Sequence, residues 1–188
     1  MYIGCSDSRL PLTVYTKSGP GDFFVHRNIA NIVSITDINF LSVLEYATKV
    51  LKVRHIVVAG HYNCGGIKAA VKGTNIGIIQ NWVQPIRRLY LNNRQKLDLL
   101  PEEKRLNKVS ELNVVQQVLN LLTTSVMMEV LDGNHPELVA PTVHGVVIDL
   151  KTGLLNELPL PLDLWKKQSL IPKTFTNNDY IVSDVFHH

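Results

Sequence analysis

The run His55-Ile-Val-Val-Ala-Gly60 constrains the fold of this chain more than any other segment. It is short, apolar and rich in β-branched residues, and it ends in glycine, which is the pattern of a parallel strand buried on both faces. Residues 2–5 and 22–27 read as two further strands. Ahead of His55, Phe40, Leu44, Ala47 and Leu51 recur at i, i+4, i+7 and i+11, one buried stripe of a helix over 37–51. Ser34, Thr36 or Asp37 can cap its start. Strand, helix and strand in this order favour a right-handed parallel crossover. The expected fold class is α/β, a mainly parallel central β-sheet with flanking helices.

Beyond His61 the spacing predicts a short helix over 67–71 and another helical face from Trp82, Ile86 and Leu89, with Pro85 tolerable only near that helix's beginning. A long helix is expected over 106–131, with Val115, Val118 and Leu122 on one face. Gly133 is placed to end it, and Pro136 and Pro141 prevent its resumption. Residues 142–150 return to β character, and Lys151-Thr-Gly153 reads as a hairpin turn into a last strand over 154–158. After Pro159, proline and charge without periodicity predict an extended tail, mobile or packed on a neighbouring subunit. With no repeat or composition break, one domain over 1–188 is expected.

Lys and Arg number 19 against 16 Asp and Glu, and the basic residues are scattered, with only short pairs such as Arg87-Arg88 and Lys166-Lys167. A nucleic-acid footprint needs a denser stripe, so no nucleic-acid partner is expected. No apolar run approaches the roughly 18 residues that span a bilayer, and no signal-peptide pattern opens the chain, so no membrane partner is expected and the cytoplasm is the expected location. The chain opens directly on a core strand, which reads as a truncated start. An organellar leader would have been lost with it. His187 and His188, native or a tag remnant, stay outside the metal argument.

Chemistry concentrates in two clusters, Cys5-Ser-Asp7-Ser-Arg9 and His61-Tyr-Asn-Cys64-Gly-Gly66, each directly after an expected strand. Carboxyl ends of parallel strands are where α/β sheets place their sites. Two thiolates and one imidazole brought together there select zinc, and three protein ligands leave a fourth position open, as catalytic sites do. Each piece alone has a plainer reading. A cysteine at a strand end is commonly a small buried hydrophobe, and H-x-x-C can be a loop accident or a redox site. A single disulfide between the two cysteines is also open, but it leaves Asp7 and Arg9 unexplained. An Asp near a metal is costly unless ligated or paired, and Arg9 is within sequence reach to pair it.

C-S-D-S-R followed downstream by H-x-x-C-G-G resembles the β-class carbonic anhydrases. The similarity runs through Gly21-Asp-Phe-Phe-Val-His-Arg27-Asn-Ile-Ala-Asn-Ile, Leu44-Glu-Tyr46-Ala, Asn81-Trp82, Glu111-Leu-Asn-Val114 and the Gly153-Leu-Leu turn, nearly the whole chain to about residue 160. The resemblance implies that Cys5, His61 and Cys64 hold Zn2+, and that Asp7 is the active-site carboxylate, either a conditional fourth ligand or paired with Arg9. It implies that Phe24, Ile29 and Tyr46 line an apolar CO2 pocket completed across a dimer interface, although composition alone makes them ordinary core residues. It places Gly65 where a backbone N–H meets the bound anion.

The implied activity is reversible hydration of CO2 to bicarbonate and a proton by zinc-bound hydroxide, in a homodimer or tetramer. The motifs equally admit a hydrolase of carbonyl sulfide or carbon disulfide, or a catalytically weak zinc-binding relative. Inhibitory bicarbonate in one branch of the family uses Trp, Arg and Tyr. Here Arg27 is kept, but Tyr2 and Ile148 replace the other two, so cooperative bicarbonate inhibition is not expected. The family's N-terminal arm and upstream pocket glutamine lie ahead of this chain's first residue. His26 is a proton-shuttle candidate by residue type alone.

Overall fold

The computed structural model describes residues 1–7, 9, 11–73 and 77–177. Five strands form one sheet: β1 (Tyr2–Cys5), β2 (Val25–Asn28), β3 (His55–His61), β4 (Thr142–Ile148) and β5 (Leu155–Glu157). Their spatial order is β2-β1-β3-β4-β5, and only β5 runs antiparallel to its neighbour. Around the sheet lie α1 (Leu12–Thr16), α2 (Ile38–Glu45), α3 (Gly65–Lys72), α4 (Ile78–Trp82), α5 (Gln84–Asn92), α6 (Arg94–Leu97), α7 (Glu102–Leu122), α8 (Ser125–Leu131) and α9 (Leu162–Lys167).

The strand period of two divides the core. Ile3, Ile56 and Val58 face one layer, where Phe40 and Leu44 of α2 and Val114, Val118 and Leu121 of α7 cover them. Tyr2, Val57 and Ala59 face the other, with Leu12, Val146 and Ile148. Both faces are therefore closed, which is why His55–His61 reads as an unbroken apolar run rather than an alternating one.

Four expectations are corrected in detail. The strand expected over 22–27 is Val25–Asn28, because Asp22 is spent in a turn, where its carboxylate accepts the Gly19 N–H at 2.7 Å. The helix expected over 37–51 is α-helical only to Glu45 and continues as a π turn, Tyr46–Val50, in which Leu51 N–H bonds the Tyr46 carbonyl at 3.0 Å. The wider turn rotates the stripe, so Phe40, Leu44 and Ala47 are buried while Leu51 is exposed. Asp37 is the cap, accepting the Asn39 N–H at 3.0 Å.

The long helix over 106–131 is two helices bent by 67°. Thr124 is extended and its hydroxyl accepts the Met127 N–H at 3.2 Å, so the side chain starts a new helix where the old one stops. α7 starts at Glu102, earlier than expected, behind Pro101 and with Glu102 and Glu103 in its first turn. Finally, residues 162–177 are not an extended tail: Trp165, Ile171 and Phe175 are buried in the main core. Three apolar anchors separated by turns leave no helical period to read. Residues 178–188, with His187 and His188, lie outside the described residues.

Candidate active site

Cys5 closes β1 and His61 closes β3, adjacent parallel strands. From β1 the chain winds to β2 on one side, then back across to β3 on the other, so the crevice between these two strand ends is the topological switch point. After His61 the chain turns through Asn63, at a left-handed φ of 61°, and Cys64 returns as the residue preceding α3. The ligand atoms of Cys5, His61 and Cys64 consequently lie within 4.8 Å of one another, all three residues buried, with the two sulfurs 3.9 Å apart.

The imidazole is oriented by its own backbone. Its Nδ1 lies 2.9 Å from the Tyr62 carbonyl oxygen, which can only accept, so Nδ1 carries the proton. Nε2 is then an unprotonated, buried nitrogen without a hydrogen-bond partner among the described residues. Leaving such an atom unsatisfied costs about 1–3 kcal/mol. Two sulfurs and one such nitrogen are the donor set of a zinc ion with a fourth position open, so the residues fit that metal.

The thiols titrate as a pair. The Cys64 thiol bonds the Cys5 sulfur, which holds Cys5 well below the usual thiol range and pushes Cys64 above it. The Cys5 sulfur also accepts backbone N–H groups from Ala30 at 3.3 Å and Asp7 at 3.4 Å. Burial opposes the charged form of His61, but the neighbouring Cys5 sulfur favours it more strongly, so the net shift is upward. Asp7 and Arg9 form a bidentate pair, Arg9 Nε to Oδ1 at 2.9 Å and Nη2 to Oδ2 at 2.8 Å. The Arg9 guanidinium holds the Asp7 carboxyl below the usual carboxylate range.

A narrow cleft beside Cys5, Asp7 and His61 is lined also by Tyr2, Tyr15, Arg27, Ala59, Gly60, Ile148 and Leu150. Arg27 donates to the Cys5 carbonyl at 2.9 Å and lies over the Tyr2 ring, whose hydroxyl is 2.9 Å from that of Tyr15. Nothing in the sequence marks Tyr15, which sits on a five-residue helix that carries no chemical signature. Phe24, Ile29 and Tyr46 do not line this cleft. Phe24 and Tyr46 pack together, with ring centroids 5.8 Å apart, and Tyr46 and Ile29 are partly open to solvent. His26 is buried with its ring edge-on to Phe40 at 5.2 Å, a core histidine.

Gly65 opens α3 and is exposed, and a β-carbon there would meet nothing within 4 Å. The sterically critical glycine is its neighbour. A β-carbon on Gly66 would stand 2.9 Å from the β-carbon of Ala30 and 3.0 Å from Ile29 Cγ2. The segment it touches is unusual: Ala30 and Asn31 both adopt left-handed φ, 62° and 48°. That conformation costs an L-residue roughly 1–2 kcal/mol, so its surroundings must enforce it.

The comparisons with known proteins agree with one another. Residues 1–155 match the family model described as carbonic anhydrase. The chain is 43% identical over 159 residues to a carbonic anhydrase of Emericella nidulans, an alignment covering 84% of this chain and 68% of that protein. It is 37% identical over 166 residues to a carbonic anhydrase of Candida albicans, covering 87% of this chain and 57% of that protein, so it spans less than two thirds of that relative. Among solved structures, it resembles one of two tetrameric beta-carbonic anhydrases from Sordaria macrospora, with a TM-score of 0.76, 41% identity, and coverage of 84% of this chain and 78% of that one.

Proposed function

The chain belongs to the β-class carbonic anhydrases, and on that premise we propose that it hydrates CO2 reversibly to bicarbonate and a proton at a zinc ion held by Cys5, His61 and Cys64. The observation that carries the reading is the buried Nε2 of His61, without a hydrogen-bond partner among the described residues, in a group whose ligand atoms lie within 4.8 Å of one another and include two thiols. A zinc ion bound there supplies hydroxide at neutral pH, because it lowers the pKa of a coordinated water to about 7.

The remaining steps belong to the protein. Asp7 would accept a hydrogen bond from the hydroxide that such an ion supplies, and so turn the oxygen's lone pair toward the carbon of CO2. Arg9 fixes that carboxylate through both oxygens and keeps it ionised. CO2 is apolar and needs no charged docking group, only a dry wall, which Phe24, Ile29 and Tyr46 provide once a second subunit covers them. The exposed N–H at Gly65, at the start of α3, receives the anionic product.

A homodimer or tetramer fits the apolar surface next to the edge strand β2. Ile29, Ile35, Ile38, Tyr46 and Val50 are each more than a third exposed there. The site requires reduced thiols, so we place the protein in a reducing compartment, the cytoplasm by default. The deciding experiment measures zinc content and CO2 hydration rate on one preparation. Stoichiometric zinc with rapid hydration supports the reading; stoichiometric zinc with no hydration refutes it.

A further inference from the structure

The segment from Asn28 to Val33 lies beside Cys5, because Cys5 pairs with Asn28 in the sheet and Ser6 N–H bonds the Asn28 carbonyl at 2.8 Å. Its backbone polar groups are taken up from three directions. Asn28 clamps its own loop, accepting from Ile32 N–H and donating to the Ile32 carbonyl, both at 2.7 Å. Trp82 Nε1 donates to the Ile29 carbonyl at 2.8 Å. The third direction is a ladder of side-chain amides on α7. Asn113 donates to the Ala30 carbonyl at 3.1 Å, and Gln117 accepts from Val33 N–H at 2.8 Å and donates to Asn113 at 2.9 Å. Asn120 donates to the Val33 carbonyl at 3.2 Å and to Gln117 at 3.1 Å. Asn113 and Gln117 are both fully buried.

The ladder grips the carbonyl between the two left-handed residues and the backbone of Val33 just beyond them, and the group this presents on the other side is the Ala30 N–H, which donates to Cys5 Sγ at 3.3 Å. We propose that Asn113 and Gln117 are positioning residues for the metal site: they hold Ala30 in its left-handed conformation so that its N–H stays on the Cys5 sulfur and limits how strongly that sulfur donates to the metal. The proposal rests on the zinc reading above. A buried polar ladder could equally serve only to tie α7 to the sheet, and the two roles separate experimentally. A hydrogen bond on a thiolate lowers its lone-pair energy. Its loss therefore moves the thiolate-to-metal charge-transfer band of the cobalt(II)-substituted protein to longer wavelength.

The experiment uses cobalt(II) and zinc forms of the full chain. Asn113→Ala should shift that band to longer wavelength and slow zinc loss to a chelator, because a sulfur freed of the Ala30 N–H donates more strongly. Ala30→Gly alone should leave the spectrum unchanged, since glycine accepts the left-handed conformation freely. Combined with Asn113→Ala it should restore the spectrum while the melting temperature stays low. If Asn113→Ala does not fold, Asn113→Ser takes its place, because it keeps a polar group in the ladder while standing one bond short of the amide nitrogen that reaches Ala30. A lowered melting temperature with an unchanged cobalt spectrum and zinc off-rate overturns the proposal and leaves the zinc reading intact. A wild-type protein that takes up neither metal overturns both.

Discussion

Replacing Asp7 with Asn separates a stabilising ion pair from a working carboxylate. The Asp7–Arg9 pair is bidentate, but its side chains are 31% and 59% exposed. Exposed pairs contribute about 0.2–1 kcal/mol, and in a domain of this size 1 kcal/mol corresponds to about 2–4 °C in melting temperature. Asp7→Asn keeps the volume and one acceptor for Arg9, so its thermal cost should not exceed about 4 °C. The catalytic cost follows a different scale. A carboxylate positioned on the reacting group contributes, on the scale of general acid–base groups, about 10²- to 10⁴-fold, or roughly 3–5 kcal/mol of barrier at 1.36 kcal/mol per decade.

The functional effect should therefore exceed the structural one several-fold. Stopped-flow CO2 hydration, with zinc quantified in the same sample, reads the first; a thermal melt reads the second. Arg9→Ala supplies the control. Without its guanidinium the Asp7 carboxyl rises back toward the ordinary carboxylate range and stays ionised at neutral pH, so the rate loss there should reflect position alone. A zinc-replete Asp7→Asn protein hydrating CO2 to within a factor of about 10 of wild type would refute the assigned role.

Cys64→Ala should lose most of its zinc and its activity, and full zinc occupancy in that variant would remove Cys64 from the ligand set. Asp98 is held down to about 2, by the Tyr90 hydroxyl first and then by Arg94 and Arg105. Its folded value lies below the unfolded one, so its stabilisation is complete above about pH 4 and is lost as pH falls through about 2. An NMR titration placing the Asp98 midpoint near 4 would contradict this. Activity should fall on dilution as subunits part, and sedimentation with parallel rate measurements checks it; an active monomer would be the contrary result. Bicarbonate should inhibit without cooperativity, because Ile148 brings no hydrogen-bond donor to the cleft that Arg27 and Tyr2 share with Asp7. Rates measured against bicarbonate at fixed pH and ionic strength test this, and a steep cooperative loss would contradict it.

What the sequence made legible is what depends on one element at a time. An apolar β-branched run declares a buried strand without reference to its neighbours, and a strand that ends in a ligating residue delivers that residue to the sheet's carboxyl edge. Cys5, His61 and Cys64 meet for that reason. The Asp7–Arg9 pair is just as local, two residues apart on one turn. The fold departs from the sequence pattern where backbone geometry leaves a regular period. One extra residue per turn in the π segment 46–50 was enough to carry Leu51 out of the core. Thr124 broke a helix whose apolar period runs on through the break. The anchors Trp165, Ile171 and Phe175 follow no period at all.

The surroundings of the site were illegible for a different reason. Nothing in Asn28-Ile-Ala-Asn-Ile32 announces two left-handed residues, since Ala is among the least suited to that conformation. Nothing in the sequence of α7 explains why Asn113 and Gln117 occupy buried helical positions, where apolar residues would pack at less cost. Each anomaly accounts for the other once the chain is folded. The strained loop needs donors and acceptors that its own sheet cannot supply, and the amides on α7 need partners that the core cannot supply. Such reciprocal satisfaction involves residues 84 and 83 positions apart, Val33 with Gln117 and Ala30 with Asn113, and so lies beyond any local reading. Gly66 belongs to the same set. It is glycine because the loop, once held, leaves no room for a β-carbon, and Gly66→Ala should therefore disturb the Ala30 N–H on the Cys5 sulfur, although the added β-carbon itself would meet Ala30 and Ile29 and not the sulfur.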